Sequence, residues 1–311
     1  MVISAIHQYL MYSIYFAPRG KERLMQLGQQ IGARYLSPLD NLIGVIGDAG
    51  AGKSLLIKGV LPGLELTNDE GFNVRPSPLV NAADTGRFTN RSYHLDIRFE
   101  LAFHQPYQIA EAIKKALKNG RRIVAEHFDL IYPFLELNAD ILIGIGGEVI
   151  VTRPTLFGPR PEDLANIVFE SIKYRRMAHT AEDLTTKVLE EEFNVVSPLF
   201  HSDVKDGFLL CFPEKYDIDL KEVEKRVNEY VKRDLLVRYA DEGHIRFGDG
   251  TEYPCTGPRI HVNRTGEIKG FRILKDFIFD PPKSSYLLVG MVGIEGDIDE
   301  NDINRMRGLS K

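Results

Sequence analysis

The chain has 311 residues, 43% of them apolar and 27% charged, with a net charge of −5 at pH 7. That length holds about two domains, and the mild negative charge excludes wholesale recruitment to DNA or to an anionic membrane. Two cysteines, Cys211 and Cys255, exclude a disulfide scaffold and point to a reducing, cytoplasmic setting.

Residues 1–20 are apolar but interrupted by His7 and Gln8, with no basic start and no small-residue cleavage site. They do not read as a secretory leader, and no apolar run is long enough to span a bilayer. Residues 13–16 predict a strand. Residues 21–35 predict an amphipathic helix with Leu24, Leu27 and Ile31 on one side, stopped near Pro38.

Residues 41–59, NLIGVIGDAGAGKSLLIKG, organise the first half. An apolar run, residues 42–46, reads as a buried strand, and a helical pattern starts at Leu55. Between them Gly47, Asp48, Ala49, Gly50, Ala51, Gly52, Lys53 and Ser54 fit G-x-x-x-x-G-K-[ST]. Strand, glycine-rich turn and helix are the setting a phosphate-binding loop requires. Glycines let the backbone approach an anion, and successive N–H groups with the helix N-terminus supply positive potential. Lys53 has the reach for terminal phosphates and Ser54 for Mg2+. The expected cofactors are ATP or GTP with Mg2+, held by residues 47–55, Leu55 included.

Residues 61–81 are rich in turn formers and carry Asp69 and Glu70, a pocket-lining loop or a solvated one. Residues 93–99 alternate as a strand, placing Asp96 as a catalytic candidate. Residues 106–119 predict a helix closed by Gly120. Residues 121–126 predict a second buried strand that ends in Glu126, His127, Phe128 and Asp129. A carboxylate at such a strand end orients Mg2+ or its water, so Glu126, then Asp129, are candidates; His127 reads as structural. Strands at 139–145 and 148–152 follow, then Arg153, a candidate phosphate contact. Strands alternating with helices imply a parallel sheet with helices on both faces.

Composition changes near residues 157–161, and the boundary is set at 172/173. Residues 162–189 predict one or two helices through Lys173, Arg175 and Arg176, a basic cluster that reads as a lid, an RNA contact or a solvated face. The second half, residues 173–311, reads as α+β. It has strands at 207–212, 236–239 and 286–292, a helix from Asp219, strand signals over 266–279, and an acid-rich tail from Glu295.

Two local patterns there carry metal-ligand chemistry. His179 and Asp183 are four apart and share a helix face. Cys255 and His261 sit on one loop. A thiolate, two imidazoles and a carboxylate make a four-ligand Zn2+ set, while spacing alone equally permits packed or capping residues.

His179-Thr180-Ala181 with Leu184, then Pro254-Cys255-x-Gly257 and His261-Val262-x-x-Thr265-Gly266-Glu267-Ile268, resemble the two motifs of the second additional domain of alanyl-tRNA synthetases. Related domains occur in threonyl-tRNA synthetases and free-standing editing proteins. The resemblance covers residues 178–274. It implies that His179, Asp183, Cys255 and His261 hold Zn2+ and that the domain hydrolyses an aminoacyl ester on tRNA. This chain departs at Asp183, where the family has histidine, and in the five residues between Cys255 and His261, where the family has three. The whole arrangement is similar to a bacterial family described as containing this domain. The first half is similar in layout to small nucleoside and nucleotide kinases.

The expected fold is therefore an α/β P-loop NTPase followed by an α+β editing-like domain. The leading expectation is a kinase-type phosphotransferase or NTPase in which Lys53, Glu126, Asp129 and Asp96 act on the phosphates and on an acceptor hydroxyl or water. The alternatives are a zinc-dependent aminoacyl-tRNA deacylase regulated by nucleotide, with a basic face at Arg175, Arg176, Lys187 and Arg259, and a non-catalytic nucleotide switch. Expected partners are a nucleoside triphosphate and tRNA or an aminoacyl ester, with no membrane and no DNA.

Overall fold

The computed structural model describes residues 10–67, 77–196, 198, 200–241, 243–250, 252–255 and 260–296. Asp69, Glu70, Gly257, Arg259 and the tail beyond residue 296 lie outside them. The chain divides into two compact units, Met1–Ile172 and Lys173–Lys311.

In the first unit, strands β1 (Ser13–Phe16), β2 (Leu42–Gly47), β3 (Ser92–Asp96), β4 (Arg122–Glu126), β5 (Ile141–Ile145) and β6 (Glu148–Thr152) form one sheet in the order β1-β6-β5-β2-β4-β3. Every residue of β2 and β5 is buried. Such uninterrupted apolar runs suit strands covered on both faces. At Gly44 an added Cβ would lie 2.7 Å from the Phe128 ring, so glycine lets the helix Phe128–Leu135 pack directly on the central strand.

The sheet is mixed, not wholly parallel as the alternation of elements suggested. Strands β3, β4, β2 and β5 run parallel, but β6 is antiparallel to β5 and β1 to β6. The reason is local: only Gly146 and Gly147 separate β5 from β6, and two residues join antiparallel strands only. The expected strand over 93–99 also ends early. The Asp96 carboxylate accepts the Phe99 N–H at 3.2 Å and caps a helical turn, Ile97–Glu100.

Strand β2 has β4 on one side and β5 on the other. The chain enters β2 from the β1 side, leaves it toward β3 on the other, and crosses back over β2 between β4 and β5, so the carboxyl ends of β2, β3, β4 and β5 share one edge of the sheet. Residues 47–54 lie at that end of β2, and Glu126 ends β4.

One helix, Pro161–Phe193, carries the chain from the first unit into the second. In the second unit β7 (Phe200–Val204), β8 (Gly207–Phe212), β12 (Arg272–Ile273), β13 (Ile278–Asp280) and β14 (Ser285–Met291) form an antiparallel sheet, and β9 (Val237–Tyr239), β10 (His244–Phe247) and β11 (Glu252–Pro254) a smaller one. The helix Leu220–Lys232 starts at Asp219, whose carboxylate accepts the Lys221 N–H at 2.9 Å. It buries Leu220, Val223 and Val227 in a core shared with Leu184, Phe208, Phe212 and Leu288. The strand expected over 266–279 is instead a 3-10 turn at Thr265–Glu267 and two short strands, because Gly270 at φ 55° breaks the extended run.

Candidate functional site

The second unit brings together the residues that the sequence left apart. Residues 178–185 are all buried, although five of the eight are polar or charged: His179, Thr180, Glu182, Asp183 and Thr185. A helix face exposed to water does not bury these types, so the polar groups serve one another. His179 and Asp183 point from this helix toward Cys255, which follows β11 and is anchored by its N–H to the Gly243 carbonyl at 2.7 Å. Cys255 Sγ lies 3.5 Å from His179 Nε2 and 3.1 Å from His261 Nε2. His261 Nε2 lies 3.6 Å from Asp183 Oδ2. One ligand atom from each of the four residues falls within 4.8 Å of all the others, and none of the four is more than 9% exposed. A tetrahedral zinc ion with bonds of about 2.0–2.3 Å spaces its ligands roughly 3.3–3.8 Å apart. The donor set and its spacing fit such an ion.

Thr180 fixes the tautomer of His261. Its hydroxyl donates to the Arg176 carbonyl at 2.8 Å, so its oxygen is left to accept. It accepts the Val262 N–H at 3.1 Å and meets His261 Nδ1 at 3.3 Å. Nδ1 therefore carries the proton, and the Nε2 lone pair faces Cys255. An orienting partner on the far ring nitrogen is what metal-binding histidines require. The Tyr239 ring lies 5.5 Å from the His261 ring, and its hydroxyl accepts the His261 N–H at 3.3 Å.

The basic face expected for tRNA is not formed by Arg175 and Lys187. They are 1% and 9% exposed, because both lie on buried positions of the long helix. Arg175 is thus neither a lid nor a solvated charge.

In the first unit, Gly50 and Gly52 take φ of 75° and 102°, angles that L side chains rarely adopt. Gly52 directly precedes the helix Lys53–Val60. The Asp48 carboxylate accepts the Ala49 N–H at 2.7 Å, and the Asp48 carbonyl accepts the Ala51 N–H at 3.3 Å and the Lys53 ammonium at 3.0 Å. Gly47 ends β2, and Leu55 sits half-buried in the first turn of the helix.

Glu126 is the hub beside this loop. Ser54 Oγ donates to its Oε1 at 3.1 Å, and Lys53 Nζ lies 3.8 Å from Oε2. His94 Nε2 also meets Oε1, at 3.2 Å. The Thr67 N–H donates to His94 Nδ1 at 3.1 Å, so the proton of this imidazole sits on Nε2 and is given to Glu126. Burial pushes the Glu126 carboxyl up, but His94, Lys53 and Ser54 outweigh it and hold it below the ordinary range. Burial pulls Lys53 down, opposed by Glu126 and Asp96. Burial, with Lys53 and Arg98 nearby, pulls His127 down to about 4, so it is neutral at pH 7. Burial raises Asp129, and raises Glu100 to about 6.

Arg153 does not belong to this site. It makes a two-pronged pair with Asp40, at 2.7 Å to each oxygen, and donates to the Tyr35 and Asp140 carbonyls. Asp40 and Asp140 precede β2 and β5, so Arg153 lies at the amino ends of the strands, opposite the glycine-rich loop. The sequence reading missed Thr180, His94 and Thr67 as supporting groups. The one available signal was polarity where a buried element needs apolar residues: His94 between Tyr93 and Leu95, and Thr180 between His179 and Ala181.

No helix among the described residues is long and apolar enough to cross a membrane. No family model matches the chain, and no curated protein matches it. Among solved structures it is similar to the ornithine aminotransferase from Toxoplasma gondii, with 12% identity over 72% of this chain and a TM-score of 0.23. The match spans 64% of that enzyme's chain, and a likeness this slight carries no argument.

Proposed function

We propose that the second unit is a zinc-dependent hydrolase of carboxylic esters, with an aminoacyl ester on tRNA as the substrate class. The convergence of His179, Asp183, Cys255 and His261 within 4.8 Å of one another is the observation that carries this reading. Zinc held there supplies Lewis acidity to an ester carbonyl. The protein's part is to hold the donors. The helix sets His179 and Asp183 one turn apart, the β10–β11 hairpin fixes Cys255, and Thr180 holds the His261 ring with its lone pair inward. Of the four donors Asp183 is the departure from the editing-domain pattern. A carboxylate is a legitimate zinc ligand. The resemblance in residues 178–274 supplies the aminoacyl-tRNA part of the reading.

Elemental analysis of the purified chain, paired with deacylation of a mischarged tRNA, tests it. The expected result is one zinc per chain and ester cleavage that is lost in His179→Ala and Cys255→Ala. Stoichiometric zinc without cleavage of any aminoacyl ester would reduce the cluster to a structural clamp. Absence of zinc would remove the reading altogether.

A second reading rests on its own observation. Ser54, Lys53 and Glu126 meet beside a loop in which Gly50 and Gly52 hold positive φ. We propose that this loop binds ATP or GTP with Mg2+, in a kinase-type or NTPase reaction or as a switch acting on the hydrolase. Lys53 would leave the Asp48 carbonyl for the terminal phosphates, Ser54 would turn from Glu126 to the ion, and Asp96 or Asp129 would receive an acceptor proton. Calorimetry with ATP and GTP in the presence of magnesium is the test. Lys53→Ala should weaken binding at least ~100-fold, about 2.7 kcal/mol; unchanged affinity would discard nucleotide binding at this loop.

A further inference from the structure

We infer that Asp96, Glu126 and His127 form a second cation site, at the carboxyl ends of β3 and β4, that takes a divalent ion tolerant of imidazole, with Mn2+ as the working case. It shares no residue with the four-donor cluster; it shares Glu126 with the nucleotide reading above but does not rest on a nucleotide, and with an ion in place Asp96 is a ligand and the acceptor proton falls to Asp129. Strands β3 and β4 pair in parallel with Asp96 opposite Glu126, so the two carboxylates emerge from the same end of the sheet. His127 follows at once, in the left-handed region at φ 56°. Each of the three residues offers one ligand atom within 4.8 Å of the other two. An octahedral ion with bonds of about 2.1 Å holds adjacent donors roughly 3.0 Å apart and opposite donors roughly 4.2 Å apart, so a small closure of the three side chains completes the set.

The observation that points to a ligand is His127. It is 3% exposed, and its Nδ1 is shielded from solvent and has no hydrogen-bond partner. A buried imidazole nitrogen in that state is costly unless something in the site satisfies it. Glu126 has donating capacity to match. Its Oε1 takes the Ser54 and His94 hydrogen bonds, which leaves Oε2, with Lys53 at 3.8 Å, as the oxygen for an ion. Two carboxylates and one imidazole, without a thiolate, favour Mn2+ over the softer ions that Cys255 attracts, and the imidazole disfavours Mg2+.

The test is titration of the chelator-stripped full chain with MnCl2, followed by the paramagnetic resonance signal of free Mn2+. Two substitutions spare the backbone. Asparagine tolerates the left-handed region that His127 occupies, and it caps a helix as Asp96 does. Wild type should bind one Mn2+ tightly, whereas His127→Asn and Asp96→Asn should each bind it at least tenfold more weakly, with circular dichroism confirming the fold. If one of the two fails to fold, the other carries the test. Equal affinity in the folded variants and wild type overturns the site. So does absence of binding in wild type.

Discussion

The glycine-rich loop and the four-donor cluster concentrate polar chemistry by different routes. Residues 47–54 are contiguous, and their geometry belongs to the backbone: a strand end, two glycines at positive φ and the start of a helix. The cluster draws on side chains 76 residues apart, His179 on a helix and Cys255 on a loop. The loop's polar groups satisfy one another through Asp48 and Glu126. The cluster gathers two imidazoles, a thiol and a carboxylate in a buried space, where an ion is the natural partner. A backbone-built site is therefore stable as a turn whether or not anything binds, while under the zinc reading proposed above the side-chain-built site draws part of its stability from the ion.

That contrast breaks first at Cys255. Cys255→Ala should remove bound zinc, leaving below ~0.1 equivalents by elemental analysis, and lower the stability of the second unit by about 3–5 kcal/mol, in line with loss of a metal that contributes folding energy. A thermal melt that shifts equally in wild type on adding a chelator would tie the loss to the ion. A melt indifferent to both would place the cluster with the loop, as a site that needs no occupant.

In the first unit the corresponding break is Glu126→Ala. It leaves Lys53 and His94 buried without their carboxylate and should cost about 3 kcal/mol in a urea titration. A change below ~1 kcal/mol would mean that the loop does not depend on this hub. A finer probe of the cluster is Thr180→Val, which keeps the volume of the side chain but removes the acceptor for His261 Nδ1. Zinc affinity should fall ~10–100-fold by competition with a chromophoric chelator, and Thr180→Ser should restore it.

The smallest expected effect concerns Glu100. Its Oε1 accepts the Ser77 N–H at 2.7 Å, and its Oε2 is shielded and has no hydrogen-bond partner. Burial raises the folded carboxyl to about 6, against 4.5 for the free group. The folded state thus holds the proton more tightly, so stability falls as pH rises through about 4.5 to 6 and stays lower above that window. Glu100→Gln should flatten this part of the stability–pH curve and raise stability at pH 7 by about 1 kcal/mol. An unchanged slope would remove Glu100 as its source.

Part of this was legible in the residues. Continuous apolar runs marked β2 and β5, because strands buried on both faces have no alternation to keep. The fixed spacing of Gly47, Gly52, Lys53 and Ser54 marked the loop, because backbone conformation at a tight turn depends on its neighbours in sequence. The resemblance in residues 178–274 named the four donors, while spacing alone left His179 and Cys255 open to ordinary packing. Arg153 was misplaced, since nothing local tells which end of a strand a long side chain turns toward; its pairing with Asp40 is a contact across 113 residues.

By itself the sequence determined the doubly buried strands β2 and β5 and the glycine turn, which follow from apolar runs and backbone freedom over a few residues; the four candidate donors came from the resemblance of two motifs. Only the tertiary structure decided that Glu126 receives Ser54 and His94 together, that Thr180 sets the proton of His261, and that Arg175 and Lys187 are buried instead of forming a basic face. These depend on directions and distances between elements far apart along the chain, which short-range physics leaves undetermined until the core is packed.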